Sequence, residues 1–183
     1  EVDTWDGRAW LTVVPFEMAN TGSSLVSGSW SKVRFAELNL RTYVTAGGAK
    51  PGVWFYSLDA TNRFAVLGAR TFFSLPYYLA DMEIDRHREG ESIAYASRRL
   101  DSRGFDARLA AGYVATGPAE RTDRGSFEEW LTRRYCLYSA DRQGRVYRAD
   151  VHHRPWRLAD VEVEIAVNEL DLGWPFDMEG PPE

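Results

Sequence analysis

The strongest constraint on the fold is a succession of nine short runs in which aromatic and β-branched residues recur, each bounded by Gly, Pro, Asp or Asn. Runs of this kind, largely with a two-residue period, are typical of strands. The predicted strands are Ala9–Phe16, Leu38–Thr45, Gly52–Asp59, Tyr77–Asp85, Ser92–Leu100, Asp106–Thr116, Arg134–Ala140, Val146–His152 and Asp160–Val167. Antiparallel strands in such long succession favour a closed or nearly closed barrel or a sandwich.

Two helical segments interrupt the strands. Apolar residues at helical spacing predict a main helix near 63–74, which Asn62 would cap and Pro76 would close. A second, short helix is predicted near 126–132, because a Ser-x-x-Glu sequence beginning at Ser126 is typical of a capping box. The chain is therefore expected to be mainly β with minor α.

Length and charge limit the function. A chain of 183 residues suits one domain, 1–183, which we expect to lack its native first and last elements. The net charge of −5 argues against nucleic acid, whose phosphates need a basic face. The sequence contains no apolar run long enough to span a membrane, and no signal peptide is visible. The expected compartment is the cytoplasm, in keeping with a single cysteine. The Ser- and Gly-rich stretch Thr21–Ser31 is expected to be a loop.

Metal and cofactor motifs are absent from the sequence. His152 and His153 are adjacent, so in a strand they would point to opposite faces and could not chelate one metal. Cys136 is the one cysteine, which excludes an internal disulfide and favours a buried thiol. No glycine-rich phosphate loop and no Gly-x-Ser-x-Gly elbow occurs, so no cofactor is expected.

Polar side chains share one face of the segment 37–44. Residues two apart in a strand point the same way, and the polar set is Glu37, Asn39, Arg41 and Tyr43. If the apolar set between them packs outward against the helices, the polar set lines the barrel interior. Arg41 could then bind a ligand carboxylate, with Glu37 as its partner or as a proton-transfer group. A solvated outer face, or a structural Glu37–Arg41 pair, is the alternative.

Three residues near the main helix complete the set of candidates. Asp59 ends a strand just before that helix, and a capping or turn role is favoured over catalysis. Tyr77 and Tyr78 follow Pro76, and one of them must face the interior. A phenol can donate to a carbonyl oxygen or act as a weak acid. Ordinary aromatic packing is the alternative for both tyrosines.

Six motifs occur in order between about Val2 and Leu170. They are Trp5–Leu11, Val14–Phe16, Glu37–Val44, Lys50–Phe55, Ser57–Ala60 and His152–Trp156. Together they resemble the YqjF-like family of bacterial proteins, a family of unknown function whose domain extends beyond both ends of this chain. That family is similar in fold to acetoacetate decarboxylase. The resemblance implies an antiparallel, cone-like β-barrel with an internal cavity.

The resemblance also implies where the decarboxylase chemistry would lie. Acetoacetate decarboxylase forms a Schiff base on the first of two adjacent lysines that follow a helix and a proline. The segment 65–78 looks like that helix and turn, with Arg70 among its recognisable elements, and Tyr77 and Tyr78 fall where the lysine pair would be. Glu37 looks like one of the enzyme's active-site carboxylates.

The absence of the lysine pair argues against the decarboxylase mechanism in this chain. A phenol cannot form the imine that acts as electron sink, and imine formation needs a lysine amine. Lys32 and Lys50 are the only lysines of the chain, and they match no catalytic position. The chain is therefore not expected to be a lysine-dependent acetoacetate decarboxylase.

Three functions remain open at this stage. The first is a barrel that binds a small organic acid, with a pocket lined by Glu37, Asn39, Arg41, Arg70 and one of Tyr77 or Tyr78. The second is a lyase, isomerase or hydrolase that uses Glu37 as base and a tyrosine as acid. The third is an interaction module with a vestigial cavity. The fold alone cannot choose among them. The expected partner is a small molecule, not nucleic acid or a membrane, with self-association left open.

Overall fold

Strands make up most of the structure. The computed structural model describes residues 1–19, 34–48, 50–87 and 92–170, so the expected loop Thr21–Ser31 lies outside the described residues. The strands are β1 (Leu11–Met18), β2 (Phe35–Val44), β3 (Gly52–Ala60), β4 (Tyr77–His87), β5 (Ser92–Arg99), β6 (Arg108–Ala115), β7 (Glu120–Arg121), β8 (Cys136–Ala140), β9 (Val146–Asp150), β10 (Arg157–Leu158) and β11 (Val161–Glu169). The helices are α1 (Arg63–Phe73) and α2 (Phe127–Thr132). The prediction of a mainly β fold with two helices is confirmed.

One curled sheet, shaped as a half-barrel, holds nine of these strands. Its order is β1-β2-β3-β4-β5-β6-β11, with β8 beside β3 and β9 beside β8, while β7 and β10 form a separate pair. Most pairings are antiparallel, but β3 runs parallel to both β4 and β8. The expected antiparallel arrangement therefore holds for most of the sheet, and the parallel neighbours of β3 make the sheet mixed. Parallel neighbours need a crossover connection, and α1 supplies the crossover between β3 and β4.

Both helices begin where the sequence predicts. The Asn62 side chain accepts hydrogen bonds from the backbone N–H groups of Phe64 and Ala65, at 3.0 and 3.1 Å. Ser126 accepts one from the N–H of Glu129 at 3.2 Å, while the Glu129 carboxylate binds the N–H of Gly125. These caps satisfy amide groups that have no partner inside a helix. In the described part of the chain, neither helix is long and apolar enough to cross a membrane.

The core lies on the face of the sheet that carries the apolar side chains of β2. Leu38 and Leu40 of β2 pack with Tyr95 of β5 and Leu109 of β6 inside the curl of the sheet. The condition under which the polar set would line the barrel interior, an apolar face of β2 packed outward against the helices, is therefore not met. The reason is that the sheet curls upon itself, so apolar side chains from distant strands meet without a helix between them. The polar set of β2 occupies the opposite face, where Tyr43 packs against α2.

Candidate functional site

A buried carboxyl group lies at the centre of the polar face of β2. Glu37 is 1% exposed, and its Oε2 accepts a hydrogen bond of 3.1 Å from the hydroxyl of Tyr77 at the start of β4. The two residues reach each other because Leu58 of β3 lies beside both strands, opposite Asn39 on one side and Tyr77 on the other. The sequence separates them by 40 residues, and the parallel β3–β4 pairing brings them together.

Burial alters the acidity of both members of this pair. Loss of solvation raises the pKa of Glu37 from 4.5 to about 7, although hydrogen bonds from Tyr77 and Asn39 favour the ionised form. The pKa of Tyr77 is raised well above its usual 10, first by burial and then by the charge of Glu37. Near neutral pH, Glu37 can therefore gain or lose a proton while Tyr77 remains a hydrogen-bond donor.

Two neighbouring groups on the same face have buried polar atoms without a hydrogen-bond partner in the described part of the chain. They are the side-chain oxygen Oδ1 of Asn39 and the Nε of Arg41. Asn39 is 5% exposed, and Arg41 lies over the ring of Tyr43 with its guanidinium carbon 5.7 Å from the ring centre. Buried polar atoms are nearly always hydrogen-bonded in folded proteins. This pair of atoms is therefore a candidate contact surface for a ligand.

The predicted pairing of Glu37 with Arg41 is not formed among the described residues. Four residues along a strand separate the two Cα atoms by about 13 Å, which keeps the carboxylate and the guanidinium apart. Arg70 does not pair with Glu37 either, because its guanidinium binds the Asp101 carboxylate and its Nε donates to the backbone oxygen of Tyr77 at 2.5 Å. Arg70 thus holds the backbone beside the site and makes no recorded contact with the acid.

Tyr77 and Tyr78 point to opposite faces, as predicted. Tyr77 binds Glu37 on the polar face of β2. Tyr78 lies on the core face, with the guanidinium carbon of Arg99 4.1 Å from its ring centre. Tyr77 is therefore the tyrosine that belongs to the Glu37 site.

A buried ion pair lies behind the site, on the core face. Asp59 binds the guanidinium of Arg99 through both carboxylate oxygens, at 2.8 and 3.1 Å, and both side chains are 2% exposed. The predicted capping or turn role for Asp59 is wrong: Asn62 caps α1, and Asp59 points into the core. Burial raises the pKa of Asp59, and the contact with Arg99 partly offsets this effect. Sequence reasoning did not find Arg99.

A second cluster that sequence reasoning missed surrounds α2. Its aromatic members are Trp5, Trp10, Tyr43, Phe127 and Trp130, with neighbouring ring centres 4.4–6.1 Å apart. Arg134 follows α2 and lies over two of these rings, 4.9 Å from Tyr43 and 4.4 Å from Trp130. Two further buried nitrogen atoms here have no hydrogen-bond partner in the described chain: Nε1 of Trp10 and one terminal nitrogen of Arg134. The tryptophan-rich motif near residue 5 was the available signal.

The remaining lysine and histidine residues make no contact with Glu37 in the described part of the chain. Lys50 forms an exposed ion pair with Asp150 at 3.1 Å, and Lys32 lies outside the described residues. His153 stacks on Tyr135 and accepts a hydrogen bond from the Trp156 indole. Within the described ranges, no group of three or more His, Cys, Asp and Glu side chains could hold a metal ion.

Two open depressions in the described surface, with volumes of about 240 and 470 Å³, lie along β4, β5, β6 and β11, and Glu37 does not line either of them. Their linings offer a ligand fewer specific contacts than the Glu37 site does, because small residues such as Ala96 and Ala110 alternate there with solvated charges. The perturbed acid and the atoms without partners define the site better than concavity does.

Fold and site together define a mainly β protein with a buried carboxyl–phenol pair on one face of a curled sheet. The chain belongs to the DUF2071 family, described as an uncharacterized conserved protein, which it matches over residues 1–182. It is 44% identical to the uncharacterized protein YqjF of Bacillus subtilis over 170 aligned residues. The alignment covers 93% of this chain and 68% of YqjF. The predicted membership of the YqjF-like family is confirmed.

A solved structure shows a more distant similarity. It is acetoacetate decarboxylase from Legionella pneumophila, with a TM-score of 0.49 and 12% sequence identity. The match covers 75% of this chain and 56% of the decarboxylase chain, so this chain spans little more than half of that structure.

Proposed function

We propose that this protein binds a small organic acid on the polar face of β2 and does so without forming a Schiff base. The observation that carries the proposal is a pair of buried atoms, Asn39 Oδ1 and Arg41 Nε, that have no hydrogen-bond partner among the described residues and lie on the same face as the perturbed acid Glu37. An unsatisfied buried polar atom costs about 1–3 kcal/mol, which a complementary ligand would recover. Arg41 would bind the ligand carboxylate, and Asn39 would accept a hydrogen bond from a donor such as a hydroxyl.

Strand geometry limits the length of such a ligand. Asn39 and Arg41 are two residues apart, so their Cα atoms are separated by about 7 Å along β2. A carboxylate and a hydroxyl joined by a few carbons span a comparable distance. The Glu37–Tyr77 pair lies one further two-residue step along the strand. A hydroxy acid of about four carbons therefore suits the site, and 4-hydroxybutyrate is a suitable probe, with butyrate as its partner that lacks the hydroxyl.

Replacement of Arg41 by alanine should abolish binding of 4-hydroxybutyrate and leave the fold nearly unchanged. Arg41 has no ion pair in the described chain, and its contact with the Tyr43 ring contributes about 1 kcal/mol. Isothermal titration measures binding, and urea unfolding measures stability. Arg98, on an exposed position of β5, is the control: its alanine variant should bind as the wild type does. Equal binding by both variants, or no binding of either acid to the wild type, would contradict the proposal.

No covalent adduct should form when the protein is treated with borohydride in the presence of acetoacetate or pyruvate. Imine formation needs an accessible, unprotonated amine. Tyr77 and Tyr78 offer phenols, and the amine of Lys50 is held by Asp150 on the surface. Intact-mass spectrometry should show the unmodified mass. A reduced adduct mapped to Lys32 or Lys50 would overturn the part of the proposal that excludes a Schiff base.

Catalysis at the same site is the second candidate, and the acidity of Glu37 favours it. A carboxyl group with a pKa of about 7 is matched to general base or acid work near neutral pH. Tyr77 stays protonated and could stabilise negative charge on a substrate oxygen. This candidate predicts exchange of a carbon-bound proton of a bound acid for solvent deuterium, seen by NMR. Exchange that the Glu37→Gln variant loses would favour catalysis over binding alone.

A further inference from the structure

We propose that Trp10, Arg41 and Arg134 together form a binding site for a carboxylate monoanion between β2 and α2. Each of these residues has a buried nitrogen donor without a hydrogen-bond partner in the described part of the chain. The proposal deepens the proposed function, because it rests on Arg41 as the group that holds the acidic end of the ligand. It adds two residues from other elements of the fold.

Contacts with shared rings place the three residues in one cluster. Both arginines contact the Tyr43 ring, with guanidinium carbons 5.7 Å (Arg41) and 4.9 Å (Arg134) from its ring centre. Trp10 joins the cluster through Phe127, whose ring centre is 4.4 Å away, and Phe127 stacks on Trp130 beneath Arg134. In addition, the hydroxyl of Thr12, opposite Arg41 in the β1–β2 ladder, binds the hydroxyl of Tyr43 at 2.6 Å.

The chemistry of the atoms without partners selects an anion. All three are N–H donors, and neither an indole nor a guanidinium can accept a hydrogen bond. A ligand that satisfies them must therefore offer acceptor atoms only. An ionised carboxylate has about four acceptor positions on two oxygens, and its hydrogen bonds to cationic donors are the strong ones.

The charge balance of the cluster favours a single negative charge. Arg134 is neutralised by Asp3, which binds its other terminal nitrogen at 2.5 Å. The Nε of Arg134 is also occupied, because it donates to the backbone oxygen of Trp130 at 2.7 Å. Arg41 has no such carboxylate partner in the described chain, so the three charged groups carry one net positive charge. The aromatic walls exclude water and strengthen the attraction to a monoanion.

The test uses acetate, with acetamide as its uncharged counterpart, at constant ionic strength. Acetate should raise the melting temperature of the wild type saturably, and acetamide should not. Trp10→Phe removes the indole N–H and keeps an aromatic ring, and it should weaken acetate binding about tenfold. Arg41→Lys removes the Nε donor and keeps the charge, and it should weaken binding to a similar extent. Trp5→Phe is the matched control, because the indole nitrogen of Trp5 is not among the buried atoms without partners.

Each outcome decides the matter. No response of the wild type to acetate, or an equal response in Trp10→Phe and Trp5→Phe, would overturn the site. A stronger response to phosphate than to acetate would show that the site prefers a different anion, and it would overturn the proposed preference for a carboxylate. The Glu37→Gln variant separates this inference from the proposed function, because acetate is too short to reach residue 37. If acetate binds through Trp10 but Glu37→Gln and Asn39→Ala leave 4-hydroxybutyrate binding unchanged, the anion site stands and the proposed hydroxy-acid site fails.

Discussion

Asp59→Ala should lower the free energy of unfolding by about 3–5 kcal/mol, the usual cost of leaving one member of a buried ion pair without its partner. The variant leaves the Arg99 guanidinium in the core with one remaining recorded hydrogen bond, to the backbone oxygen of Phe105 at 3.2 Å. The ring of Tyr78 stays beneath the guanidinium and recovers only part of the loss. Urea unfolding followed by fluorescence measures the change.

Two comparisons make this test specific to burial. Arg108 binds Glu169 through two hydrogen bonds of 2.6 and 2.9 Å, but both side chains are 55% exposed. Arg108→Ala should therefore change stability little, since exposed ion pairs contribute little. The double variant Asp59→Leu with Arg99→Met should regain much of the loss, because an apolar pair needs no compensation for lost solvation. A small effect of Asp59→Ala would show that water reaches this pair.

Local patterns in the sequence determine most of the elements of this fold. The period-2 runs predict all seven strands along the main path of the sheet, and Asn62 and Ser126 predict the starts of both helices. The side of the sheet that faces the core could not be predicted, because alternation separates two faces without saying which is inside. The parallel alignment of β3 with β8 also lacks a local signal, since it pairs Val53 with Leu137, far apart in the sequence.

The candidate site, too, was predictable only where local sequence patterns determine it. The grouping of Glu37 with Asn39, Arg41 and Tyr43 needs only strand alternation, and it was predicted. The burial of both faces of β2, which raises the pKa of Glu37, depends on which other elements of the fold cover that strand. Asp59 and Arg99 are 40 residues apart, and each looks like an ordinary surface charge in sequence. Their pairing follows from the register of β3, β4 and β5, which no single segment specifies.

Glu37→Gln should stabilise the protein at pH 8 by about 3 kcal/mol and have little effect at pH 4.5. The carboxyl has a pKa of about 7 in the folded protein, against 4.5 in the unfolded chain. Below pH 4.5 it is protonated in both states, so it costs nothing. As the pH rises to about 7, the unfolded state releases the proton first and gains stability relative to the folded state. Above pH 7 the loss of unfolding free energy is complete, and it amounts to about 1.4 kcal/mol for each unit by which the folded pKa exceeds the unfolded one. Glutamine stays neutral and avoids this loss.

The measurement is the difference in unfolding free energy between Glu37→Gln and wild type, from urea titrations between pH 4.5 and 8.5. Other titrating groups are common to both proteins, so their contributions cancel in the difference. Tyr77→Phe removes a hydrogen bond that favours the ionised carboxylate, so in that background the rise should extend to higher pH. Tyr78→Phe is the matched control, because Tyr78 lies on the opposite face and should leave the curve in place. A difference that does not change with pH would show that Glu37 titrates as an ordinary solvated acid, and it could not then serve as the proton-transfer group of the site.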